Sequence, residues 1–74
     1  MASFPDRLKE LRKIKNLKQT EMAAFLELNT RTYQDYEYGK VTPNAPMLTK
    51  LAEYFGVTTD FLLGLSDVRE RIEG

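Results

Sequence analysis

The stretch Gln19–Glu37, QTEMAAFLELNTRTYQDYE, decides how the rest of the chain must fold. Its apolar residues outline two short helices joined by a tight turn. Met22, Ala23 and Leu26 recur at the i, i+3/i+4 spacing that lines one face of a helix. Leu28 falls in the turn, placed to plug the gap between the helices. Tyr33 and Tyr36 stand three residues apart and anchor the second helix from behind. Asn29 suits the position before that helix, where its side-chain oxygen accepts from a free backbone N–H. With both tyrosines inward, Thr30, Arg31, Gln34 and Asp35 point away from the core. An outer face made of hydrogen-bonding side chains is what reading base edges in a DNA major groove requires. Every amphipathic helix has a polar face, however, so periodicity alone leaves an ordinary solvated surface open beside that reading.

Length and composition narrow the classes. The 74 residues make one domain at most. A chain this short buries only about 60% of the surface it exposes when unfolded, so every large apolar side chain is needed. It has no cysteine and no histidine. That removes disulfides, thiolate ligands, the commonest general base and the commonest metal ligand. There is no Gly-rich phosphate loop and no metal-ligand spacing. No enzyme activity, cofactor, metal or small-molecule substrate is expected. No run of apolar residues approaches the roughly 18–20 needed to cross a bilayer, and the N-terminus lacks the apolar core of a signal peptide. The expected location is the cytoplasm, with no membrane partner.

The formal net charge is zero, but it is unevenly spread. Residues 1–18 carry six cations against two anions, a local charge of +4. Residues 19–40 and 41–74 each come to −2. The chain is therefore polarised, which orients a domain on phosphates less strongly than a uniformly basic surface would.

In chain order, Ser3 caps a first helix that has Pro5 and Asp6 in its first turn. Leu8, Leu11 and Ile14 form its apolar stripe, with Phe4 as an extension. Asn16 suits a left-handed stop, and Leu17 then reads as a plug between helices one and two. Helix two runs from Gln19 to Leu26. Lys18, before it, is a poor cap, which leaves an N–H for water or an anion. Glu27 occupies a turn position that favours Gly or Asn. Helix three spans Thr30–Tyr38 and Gly39 ends it. Asn44 caps helix four, whose stripe is Met47, Leu48, Leu51, Ala52 and Phe55, and Gly56 closes it. Thr58 caps a short fifth helix that ends at Gly64. Residues 67–74 form a C-terminal tail, either a further short helix or a linker.

Five short helices with a helix-turn-helix as the second and third resemble the lambda-repressor-like DNA-binding domains, the phage Cro and xenobiotic-response-element family. QTEMAAFLELNTRTYQDYEYGKVTP, residues 19–43, is similar to the family's Gln-x-x-Leu-Ala-x-x-Leu-Gly-Val-Ser and Ile-Glu-x-Gly-x-x-x-Pro pattern. MLTKLAEYFGVTTDFLLG, residues 47–64, is similar to its fourth and fifth helices. The likeness covers residues 4–66, inside an expected domain of residues 1–66. It implies an all-α bundle that binds double-stranded DNA. It assigns Gln19 to a phosphate and to bracing the first base-reading side chain. Asn29, Thr30, Arg31 and Asp35 fall where bases or phosphates are met, Gln34 near the DNA backbone, and Lys40 on phosphates across the groove. Arg12 and Glu37 match an ion pair tying helix one to helix three. The departures are Glu27 for the turn glycine, tyrosines at 33 and 36 for branched aliphatics, and an acidic Asp35 on the outer face. Asp35 has two readings, as an acceptor for a cytosine amino group or as the i+4 partner of Arg31.

The expectation is a sequence-specific transcriptional regulator, a bacterial or phage repressor binding a pseudo-palindromic operator as a homodimer. Phe61, Leu62, Leu65, Val68 and Ile72 are the candidate dimer residues. The alternative is a protein-interaction module of the same fold, an antitoxin or adaptor with little DNA reading.

Overall fold

The computed structural model describes residues 3–69, and its helices are α1 (Phe4–Ile14), α2 (Gln19–Phe25), α3 (Thr30–Glu37), α4 (Ala45–Phe55) and α5 (Thr59–Leu62). Four begin at a side-chain cap. The Ser3 hydroxyl accepts from Asp6 N, Asn29 Oδ1 from Thr32 N at 2.7 Å, Asn44 Oδ1 from Met47 N at 3.0 Å, and Thr58 Oγ1 from Phe61 N at 2.9 Å. α2 begins without such a cap, as Lys18 at that position implies. Lys18 has no acceptor to offer, but Glu21 reaches back and accepts from the Lys18 N–H at 2.8 Å. This is the returning half of a capping box.

All five helices end in the same device. A residue with positive φ follows each one: Asn16, Glu27, Gly39, Gly56 and Gly64. The next N–H then reaches back to the carbonyl five residues earlier, as from Leu17 to Arg12, Leu28 to Ala23 and Val57 to Ala52. These are Schellman closures, which use carbonyls the helix end leaves free. At Glu27, φ is +59°, where a Cβ costs on the order of 1 kcal/mol.

The core gathers Phe4, Leu8 and Leu11 of α1 with Met22, Ala23, Tyr33 and Tyr36 of the helix-turn-helix and Leu51, Ala52, Val57 and Leu62 behind them. Leu17 and Leu28 pack against it as expected. Ile14 does not join, being 55% exposed. Ile14 is the last residue of α1, one turn past buried Leu11. Leu62 is wholly buried, so it is a core residue and cannot line a dimer surface. Residues 66–69 form no helix. They run back beside α5, where Thr58 donates through N to Arg69 O and through Oγ1 to Val68 O, both at 3.3 Å. Ile72 lies outside the described residues.

One buried charge joins the first three helices. The Glu37 carboxylate has no exposed side-chain surface. It accepts from Arg12 Nε at 2.5 Å and Nη2 at 3.1 Å, from the Tyr33 hydroxyl, and from Gln19 Nε2 at 3.1 Å. Arg12 Nη1 also donates to Leu17 O at 2.8 Å, which fixes the α1–α2 turn. Burial pushes the Glu37 carboxyl up, but the hydrogen bonds from Arg12, Tyr33 and Gln19, with the guanidinium charge, outweigh it. The net effect holds Glu37 below its ordinary 4.5. Burial, then the bond to Glu37, pushes Tyr33 far above the usual phenol range, so it stays a neutral donor.

Two outcomes follow. Glu27→Gly relieves the left-handed strain and stabilises the fold by about 1 kcal/mol, seen as a higher urea midpoint; no gain would mean the Glu27 side chain compensates its own strain. Glu37 titrates lower when folded than when unfolded, so its contribution is complete above the ordinary 4.5 and drains away as pH falls through the folded value. Glu37→Gln should cost roughly 3 kcal/mol at pH 7 and have a shallower acid limb than the parent. Urea titrations from pH 7 to pH 3 with equal acid limbs would exclude Glu37 as the source.

Candidate nucleic-acid interface

α3 is held from behind by Tyr33, Tyr36 and Glu37, all buried. At 100° per residue its opposite face carries Arg31, Asp35 and, just past the last turn, Tyr38. The Arg31 side chain is 78% exposed. Its Nε lies 3.6 Å from Asp35 Oδ1, close enough for an ion pair and too far for a hydrogen bond. Asp35 Oδ1 is itself buried and has no hydrogen-bond partner among the described residues. The structure thus places Asp35 beside Arg31, the second of its two sequence readings. This leaves Arg31 extended into solvent, with a carboxylate biasing its direction.

The other expected residues divide. Asn29 Oδ1 is occupied by its cap bond to Thr32 N. Thr30 is half-buried at the start of α3, and Lys40 is exposed beyond Gly39. Gln19 braces Gln34. Its Oε1 accepts from Gln34 Nε2 at 3.0 Å. Gln34 is therefore drawn against α2. Arg12 and Glu37 pair as the resemblance implies.

Two residues escaped the sequence reading. Tyr38 is 56% exposed and stands seven residues after Arg31, hence on the same face. That spacing was available in the sequence. Arg7 gave no such signal, since it sits among other charges on α1, yet it is buried. Its guanidinium lies 3.8 Å from the Phe61 ring centroid. It donates to Phe61 O and Ser66 O, each at 2.6 Å, and to Asp67 Oδ1 at 2.9 Å. Arg7 thereby straps the segment after α5 onto α1. On that strap Leu65 is 75% exposed and Val68 58%. Phe61, under the guanidinium, is half-buried. No helix among the described residues is long and apolar enough to cross a membrane.

Comparison with known proteins agrees with this geometry. A helix-turn-helix family profile matches residues 8–62. An uncharacterized prophage-derived helix-turn-helix transcriptional regulator of Bacillus subtilis, YonR, is 47% identical over 60 residues, which are 81% of this chain and 56% of YonR. The regulator AnsR of the same bacterium is 44% identical over 59 residues, 80% of this chain and 51% of AnsR. The transcriptional activator BcrR of Enterococcus faecalis is 37% identical over 60 residues, 81% of this chain and 29% of BcrR. The chain thus spans about half or less of the curated relatives it matches. The crystal structure of a transcriptional regulator from Listeria innocua superposes with a TM-score of 0.80 at 33% identity, covering 97% of this chain and 65% of that one. A profile match over residues 8–62, most of the five-helix bundle, makes this chain a member of the lambda-repressor-like helix-turn-helix family.

Proposed function

We propose that this chain is the DNA-reading domain of a bacterial or phage transcriptional regulator, working in the cytoplasm and placing α3 in the major groove. The observation that carries this reading is the division of α3. Its back is locked by three buried residues, and its front holds Arg31 mostly in solvent beside Asp35. A guanidinium so placed matches the two acceptors of a guanine edge. Lys40, Asn29 and Thr30 flank it as phosphate or base contacts, and Tyr38 adds an exposed hydroxyl. The relatives named as transcriptional regulators support the assignment.

The operator is read as pseudo-palindromic and the protein as a homodimer, because a single small module buries too little DNA for physiological specificity. Two recognition helices would then lie about 34 Å apart. Leu65 and Val68, held outward by the Arg7 strap, are the surface for that pairing, with the rim of Phe61. Occupying a promoter in this way represses it by excluding polymerase. A relative named as an activator belongs to the same family, so the sign of regulation rests on where the operator lies.

Arg31→Ala should lose about tenfold in discrimination at one base pair of each half-site, while Lys40→Ala weakens all sequences alike and lowers the salt slope by about one unit. Gel shifts in which both variants behave identically would contradict this division. Binding to bulk DNA that shows no salt dependence would favour the protein-interaction module instead. Sedimentation at micromolar concentration should give a dimer that Leu65→Lys and Val68→Glu convert to monomer. A parent chain that is monomeric throughout would remove Leu65 and Val68 as a self-sufficient interface.

A further inference from the structure

Gln34 lies about 60° around α3 from Arg31, on the flank facing α2. It is the outer end of a chain of amides that begins at Glu37. A carboxylate only accepts hydrogen bonds, so the end of the Gln19 amide that meets Glu37 must be its NH2. The oxygen of Gln19 then faces Gln34. An amide oxygen also only accepts, so the end of Gln34 that meets it must again be the NH2. Neither amide is free to turn over without setting two like groups against each other. Glu37 cannot give way, because Arg12 and Tyr33 hold the same carboxylate. Gln34 Oε1 is left without a donor among the described residues. It is not among the buried unpaired atoms, so solvent reaches it.

We infer that Gln34 is a specificity-determining side chain whose carbonyl oxygen, fixed in direction by Gln19, selects a base bearing an amino donor on its major-groove edge, adenine or cytosine. This rests on the DNA reading above. A free glutamine turns its amide to suit either polarity. Here the relay removes that choice and penalises the O6 of guanine and the O4 of thymine, both acceptors. Arg31 and Gln34 therefore read opposite polarities from neighbouring flanks of one helix, a donor fork beside a fixed acceptor. Gln19 is a positioning residue in this scheme, and its interaction with the base runs through Gln34.

Site selection from random duplex DNA, run on the whole chain and on Gln34→Ala and Gln19→Ala, tests the assignment. The parent should favour adenine or cytosine at one position per half-site by about fivefold, the ratio one hydrogen bond supports. Gln34→Ala should flatten that position and leave the others, which also shows that the variant folds. Gln19→Ala should admit guanine and thymine at the same position only. In the DNA-free protein, Gln19→Ala should move the side-chain amide resonance of Gln34. The inference falls if Gln34→Ala changes no position, if the position it flattens preferred guanine or thymine, if Gln19→Ala leaves that position unchanged, or if the Gln34 resonance stays where it was. Enrichment of no sequence by the parent chain overturns the DNA reading and the base selection together, while the resonance reports separately whether the relay exists.

Discussion

The buried carboxylate of Glu37 is the constraint on which the arrangement of the first three helices depends. A charge taken out of water is tolerated only with full hydrogen bonding and a counter-charge. Glu37 obtains these from a different element in each direction: Arg12 on α1, Gln19 on α2 and Tyr33 on its own helix. Satisfying it fixes the rotation of α3 and its distance from both neighbours. Apolar packing alone is less particular, since leucines and tyrosines slide and re-pack at modest cost. The directional bonds to Glu37 turn a generic three-helix contact into one geometry, and so decide which residues of α3 look outward.

That geometry reaches the surface. The amide of Gln19 has one end on Glu37 and the other on Gln34. A buried structural charge is thus two hydrogen bonds away from the half-buried side chain of Gln34. Arg31, on the same helix, is left with only a loose carboxylate neighbour. On the proposed DNA-reading side of α3, Gln34 is pre-set and Arg31 adaptable, a division that would lower the ordering cost of binding at one position and keep reach at the other.

The opposite end of the molecule is organised by Arg7. Its guanidinium stacks on Phe61 and binds the carbonyls of Phe61 and Ser66. One carbonyl lies in the last turn of α5, the shortest helix, and the other in the segment that follows it. The arginine thereby ties α5 and the segment after it to α1. Leu65 illustrates the result. It follows the left-handed Gly64 in the place where Leu17, Leu28 and Val57 tuck inward after their own turns, yet among the described residues it stays 75% exposed.

The residues alone determined the helices, their caps at Ser3, Asn29, Asn44 and Thr58, and the reversals at Asn16, Glu27 and the glycines, because each depends on groups within five positions along the chain. They also determined which face of α3 is apolar, through the spacing of Tyr33 and Tyr36. The pairing of Arg12 with Glu37 was legible through likeness to a family, not through spacing. Only the tertiary structure decided that Ile14 stays outside the core, that Leu62 belongs to it, that Gln19 braces Gln34, and that Arg7 is buried against carbonyls 54 and 59 positions away. Those outcomes turn on which side chains meet when helices distant in sequence are brought together. A hydrophobic pattern of period 3.6 says which face goes inward and is silent about its partner.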